Sequence, residues 1–190
     1  MTGFGSRIGE TAALLQSLGT PDIVHRVESA VDLLCRVVKE RKPLLVCGNG
    51  GSASDALHIS GELVGRFLIE RAPIDVICLN ANVSVLTAWS NDYDYASVFA
   101  RQVEAHGRAG GVLWGISTSG NSGNVVSAFE AARRLGMHTL ALTGAGGGRL
   151  AAQTDVLIDV PSRSTPRIQE MHLPIYHYIC EELEKRTSSV

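Results

Sequence analysis

The stretch "LLVCGNGGSASDALHISGE", residues 44–62, decides how the chain is read. Its first five residues carry no charge and no polar alternation, the pattern of a parallel strand covered on both faces. Asn49, Gly50 and Gly51 then interrupt the run, and Ser52 stands where a helix cap is expected. From there the apolar residues recur at helical spacing. A buried strand, a glycine-rich turn and a helix form the opening of a βαβ unit.

The same alternation continues outward. Short apolar runs recur at "DVICLN" (75–80), "VLWGIST" (112–118), "HTLALTG" (138–144) and "DVLIDVP" (155–161), and each reads as a further strand. Helical patterns separate them, at "SGNVVSAFEAARRLG" after the third run, at "GGGRLAAQ" after the fourth, and in parts of 83–108. The expectation is an α/β fold: a five-stranded parallel sheet flanked by helices, doubly wound with right-handed crossovers. Residues 9–40 read as one long or two shorter amphipathic helices, and 166–187 as a final helix. Pro174 falls inside that last segment, so the helix is expected either to start late or to bend there. One domain over residues 1–190 is expected, with a helical segment at about 9–40 and the α/β core at about 41–190.

Composition narrows the function. Hydrophobic residues make up 45% of the chain, and the formal net charge is −2. No basic block marks a nucleic-acid or membrane surface, and no apolar run is long enough to span a bilayer. The beginning of the sequence lacks the basic-then-apolar pattern of a secretory signal. Cys35, Cys47, Cys78 and Cys180 are scattered, which favours neither a disulfide framework nor a cysteine-rich zinc site. A cytoplasmic protein is expected.

Two loops follow strands at the end of the sheet where open α/β folds collect ligands. The "GNGGSAS" loop permits close backbone approach, and a tight strand-to-helix turn explains it as well. The "STSGNS" loop, Ser117 to Ser122, puts four hydroxyls at the start of a helix. Helix N-termini offer free N–H groups and partial positive charge, so this is a candidate phosphate site; a capping cluster is the plainer alternative. His58 and Glu62 are at i and i+4 on the helix beside the first loop, a spacing that also occurs in ordinary surface pairs. Far along the chain, Gln169 and His177 stand about two turns apart. Two imidazoles, a carboxylate and an amide oxygen suit a borderline divalent ion such as zinc.

Four segments together carry a resemblance: "CGNGGSASDALHISGELVGRF", "TAWSNDYDY", "GISTSGNSGNVV" and "PRIQEMH". The chain resembles the sugar isomerase family, specifically the bacterial phosphoheptose isomerases, from about residue 9 to 186. The resemblance implies conversion of sedoheptulose 7-phosphate to D-glycero-D-manno-heptose 7-phosphate, the first step toward nucleotide-activated heptose. It implies a homotetramer with active sites at subunit interfaces. It places substrate binding on Asn49, Gly50, Gly51, Glu62, Asn91, Asp92, Ser117, Thr118, Ser119, Ser122 and Gln169. It places one zinc per subunit on His58, Glu62, Gln169 and His177, with Glu62 as base and His177 as acid. His172 is expected to be a packed core residue. The rival reading is a non-catalytic regulatory protein on the same fold, of the replication-initiator-associating type. The complete set of His58, Glu62, Gln169 and His177 favours the enzyme.

Overall fold

The structure is a computed structural model and describes residues 3–188; residues 1, 2, 189 and 190 of the expected domain lie outside that description. Two helices open the chain, α1 (Phe4–Ser17) and α2 (Pro21–Lys39). The first begins earlier than the expected residue 9. The break between them falls at Pro21, whose ring ends any continuation from α1 and fits the first turn of α2. α2 buries Ile23, Val27, Ala30, Val31 and Leu34 along one stripe, whereas α1 buries no residue.

The five apolar runs are strands: β1 (Leu44–Gly48), β2 (Val76–Cys78), β3 (Val112–Ser117), β4 (His138–Gly144) and β5 (Val156–Val160). All pair in parallel, in the order β2-β1-β3-β4-β5. Between them run α3 (Gly51–Val64), α4 (Val83–Asp92), α5 (Val98–His106) and α6 (Gly123–Arg134), and α7 (Thr165–Thr187) closes the chain. Residues 148–153, expected as helix from "GGGRLAAQ", form a short 3-10 helix. Alternate strand residues feed two cores. Leu44, Val46, Trp114, Ile116, Leu140 and Leu142 pack against α2, α3 and α7. Leu45, Cys47, Leu113 and Ala141 pack against α5 and α6.

Pro174 neither delays nor ends α7, which runs unbroken from Thr165. The carbonyl it leaves without an intrahelical donor is that of Glu170, an exposed residue. The strand order then makes the crevice. The chain leaves β1 through α3 on one face of the sheet and leaves β3 through α6 on the other, while Gly48 and Ile116 remain paired neighbours. Helices that diverge from adjacent strand ends open a gap between them, the switch point where such sheets bind ligands.

Candidate active site

That gap is a cavity of about 300 Å³ lined by Asn49, Gly50, Gly51, Ser117, Ser122 and Gln169, with Ser52, Ile116, Thr118 and Thr165. Its floor is the turn after β1. Gly50 is the residue before α3 and has φ 56° and ψ −122°, a conformation that side chains rarely adopt. Ser52 therefore does not cap α3 as expected: the helix starts at Gly51, one residue too early, and Ser52 is buried inside the first turn. Gly51 is needed for a different reason. A Cβ placed there would stand 2.3 Å from Gln169 Nε2, so the bare backbone admits the Gln169 side chain across the loop. The Asn49 amide is committed within the protein. It donates to Asn124 Oδ1 at 2.8 Å and accepts from Asn124 Nδ2 at 2.9 Å and Tyr95 Oη at 2.8 Å. Asn80 brackets the same strand end, bonding both the N–H and the C=O of Gly48.

The opposite wall is the Ser117–Ser122 loop. Ser117 Oγ and Ser122 Oγ lie 2.9 Å apart, and Ser119 Oγ accepts from the Asn121 N–H at 3.1 Å. Ser122 precedes α6 without a side-chain cap; the Val125 N–H is taken by Asn124 Oδ1 at 3.0 Å, which leaves the N–H groups of Gly123 and Asn124 as the helix-start donors for an anion. The glycines after β4 hold the loop closed. Leu150 N–H bonds the Gly120 carbonyl at 3.0 Å, and a Cβ on Gly120 would meet the Gly147 carbonyl oxygen at 2.0 Å.

A second group of site residues lies farther down α3. Glu62 is eleven positions beyond Gly51, about 16 Å along a helix. There His58 Nε2 lies 3.0 Å from Glu62 Oε1, and His58 Nδ1 lies 3.0 Å from Tyr176 Oη. The His177 ring stands edge-on to His58, with centroids 5.1 Å apart, and Phe67 packs on its other side at 5.4 Å. His177 Nε2 is buried without a hydrogen-bond partner. Burial, and then the neighbouring His58, lower the His177 pKa below the usual histidine value against the opposing pull of Glu62, so its ring is neutral at neutral pH. Asp55 sits one turn before His58, and burial raises its carboxyl above the usual range.

Glu184 and Arg71 anchor the segment that follows α3. Their side chains are 1% and 2% exposed and form an ion pair at 3.3 Å. Glu184 accepts from the N–H groups of Phe67, Leu68 and Ile69, and Arg71 donates to the carbonyls of Glu62 and Leu63. This clamp fixes the end of α3 that carries Glu62 and the phenyl ring against His177.

The expected site residues thus fall into sets. Asn49, Gly50, Gly51, Ser117, Thr118, Ser122 and Gln169 line the crevice, and Ser119 belongs to its loop at the surface. His58, Glu62 and His177 meet on the α3–α7 face. Asn91 and Asp92 end α4, are exposed, and bond to each other at 2.9 Å. His172 is fully buried, with Nε2 3.3 Å from the Thr143 carbonyl, and is a core residue as expected. Among the described residues, no three His, Cys, Asp or Glu side chains close into a metal-holding group. The donors nevertheless suit a divalent ion: a carboxylate, two imidazoles, one of them with an unpartnered buried nitrogen, and an amide on the same helix as His177. The residues missed from sequence are Asp55, Tyr176, Asn80, Tyr95, Asn124, Arg71 and Glu184. Only Asp55 left a signal, since 55, 58 and 62 share one helical face.

Known proteins resemble the chain over most of its length. A family model described as the SIS domain matches residues 10–144. A phosphoheptose isomerase of Crocosphaera subtropica is 48% identical over 170 residues, covering 90% of this chain and 87% of that protein. One of Helicobacter pylori strain P12 is 50% identical over 173 residues, covering 91% and 89%. Among solved structures, the phosphoheptose isomerase of Neisseria gonorrhoeae superposes with a TM-score of 0.90 at 40% identity, covering 95% of this chain and 96% of that one. By sequence identity, coverage and fold, the chain belongs to the SIS-domain family and, within it, to the phosphoheptose isomerases.

Proposed function

We propose that the protein is an aldose–ketose isomerase that converts sedoheptulose 7-phosphate to D-glycero-D-manno-heptose 7-phosphate, supplying nucleotide-activated heptose for lipopolysaccharide or another glycoconjugate. The observation that carries this reading is the crevice at the β1/β3 switch point. A hydroxyl-rich helix start faces a glycine loop there, in a chain about half identical to phosphoheptose isomerases. Family membership and the assembled His58, Glu62 and His177 cluster disfavour a purely regulatory protein.

The phosphate sits against the Ser117–Ser122 loop and the first turn of α6. Binding energy there, remote from the reacting carbons, holds the sugar end in place. Isomerisation moves a proton between adjacent carbons through an enediol, which needs a base at carbon and a proton donor at oxygen. Glu62 is the base: Oε1 faces His58, and Oε2 takes the proton. His177 acts at oxygen as a neutral imidazole. Gln169, laid over Gly51, orients the sugar. A zinc ion, one per subunit, would be held by His58, Glu62 and His177, with Gln169, which lies over Gly51 within this chain, joining from across a subunit interface; when bound it would polarise the substrate carbonyl.

Substrate binding and acid–base groups are far apart within one chain, which supports a homotetramer whose active sites form between subunits. Exposed apolar side chains on the terminal helices, among them Phe4, Ile8, Leu173 and Tyr178, supply surface for such contacts. No helix among the described residues is long and apolar enough to cross a membrane, consistent with a cytoplasmic enzyme of sugar-phosphate metabolism. The test is direct: purified protein is incubated with sedoheptulose 7-phosphate and followed by NMR. An aldoheptose phosphate is expected. No conversion at enzyme concentrations matching the substrate would reject the reading.

A further inference from the structure

We propose that Asp55 and Tyr176 are positioning residues that fix the tautomer of His58, placing its hydrogen on Nδ1 and turning the Nε2 lone pair toward Glu62. Asp55, His58 and Glu62 lie at i, i+3 and i+7 on α3, and Tyr176 packs against them from α7. The phenol is 1% exposed. Its Oη lies 3.0 Å from His58 Nδ1 and 3.5 Å from Asp55 Oδ1.

For the neutral ring, the direction of the hydrogens follows from counting. Tyr176 has one hydroxyl hydrogen and two neighbours able to accept it. Asp55 Oδ2 is buried with no partner, and among the described residues the carboxylate has no donor other than Tyr176, at 3.5 Å. Were the hydroxyl hydrogen to point at His58, that half-buried carboxylate would be left without any protein donor, which is unfavourable. His58 avoids this by supplying its own hydrogen. Nδ1–H donates to Tyr176 Oη, and Tyr176 O–H donates to Asp55.

The consequence appears on the other side of the ring. Nε2 then presents a lone pair to Glu62 Oε1 at 3.0 Å, an acceptor against an acceptor. His177 Nε2, buried without a partner, stands beside them. Such an arrangement is relieved by a cation shared among these atoms. Outer partners that orient a histidine this way commonly raise the metal affinity of its site. This part rests on the zinc reading above; the tautomer itself does not.

The test uses the full chain, metal-free and labelled with 15N-histidine. Two-bond proton–nitrogen NMR spectra, recorded at alkaline pH where histidine rings are neutral, distinguish the two neutral tautomers. His58 is expected as the Nδ1–H form in the wild type and as the Nε2–H form in Tyr176→Phe. Asp55→Ala should shift it the same way, a check should either variant fold poorly. Zinc affinity, measured by competition with a chromophoric chelator, should fall roughly 10–100-fold in Tyr176→Phe. An Nε2–H ring in the wild type overturns the proposal, whatever the zinc affinity. An Nδ1–H ring that Tyr176→Phe leaves unchanged also overturns it. An Nδ1–H ring lost in Tyr176→Phe, in a protein that binds no zinc, supports the tautomer assignment and removes the metal reading alone.

Discussion

Replacing each glycine of the β1–α3 turn by alanine separates the two demands the turn meets. At Gly50 nothing lies within 4 Å of an added Cβ, but φ is 56°, so the cost is backbone strain. A side-chain-bearing residue held in such a region costs about 1–3 kcal/mol. At roughly 2–4 °C per kcal/mol for a chain of this size, Gly50→Ala should lower Tm by several degrees. At Gly51 the backbone is helical, and the added Cβ meets Gln169 Nε2 at 2.3 Å and Cδ at 3.0 Å. The obstacle is the end of a flexible side chain, which swings away at a stability cost below about 1 kcal/mol, less than overpacking a rigid core. What Gly51→Ala loses is the placement of Gln169 over the crevice, so turnover should fall by tenfold or more in a protein nearly as stable as wild type. Thermal denaturation together with steady-state kinetics on sedoheptulose 7-phosphate reads both effects. A Gly51→Ala variant with wild-type kinetics, or a Gly50→Ala variant with wild-type Tm, would refute the reasoning.

Other outcomes follow from the same geometry. Ser119→Ala and Ser122→Ala should each weaken sugar-phosphate binding by about 1.5–3 kcal/mol, the range for hydrogen bonds to a charged group; unchanged affinity in both, by calorimetry, would dismiss the phosphate loop. Burial pushes the His172 pKa down to about 4 from 6.5, so the unfolded chain binds the extra proton between these values. Its contribution to stability is therefore complete above pH 6.5 and declines as pH falls toward 4. Denaturant titrations of wild type and His172→Gln should show the smaller pH slope in the variant across that window. Sedimentation at micromolar concentration should give a species near four times 20.2 kDa, and a fully active monomer would exclude shared active sites.

Much of the fold was legible because both faces of its strands are covered. "LLVCG" and "VLWGI" carry no polar side chain beyond a cysteine for that reason, and the helices between them keep their period. Strand order was not legible, since the return of β3 to the far side of β1 depends on which face each crossover takes. At Pro174 the late start was the wrong alternative, because the carbonyl the proline frees belongs to an exposed residue and the helix begins at Thr165. In the site, short motifs identified the loop residues, but their partners come from distant segments. Glu184 reads as one more charge on the final helix until the fold brings the N–H groups of residues 67–69 onto its carboxylate. Burial alone would raise its pKa; those N–H groups and Arg71 outweigh this and hold it below the usual glutamate value.

The central claim is that Glu62 removes the proton from the sugar carbon, and the most direct measurement is solvent deuterium exchange into sedoheptulose 7-phosphate, followed by NMR. Exchange reports proton abstraction even when product does not accumulate. Glu62→Gln preserves the shape but has no basic carboxylate, so its exchange rate should fall by roughly 10²–10⁴-fold while sugar-phosphate binding persists. Exchange in Glu62→Gln at the wild-type rate would contradict the account and move the base to another group, with Asp92 the first to replace.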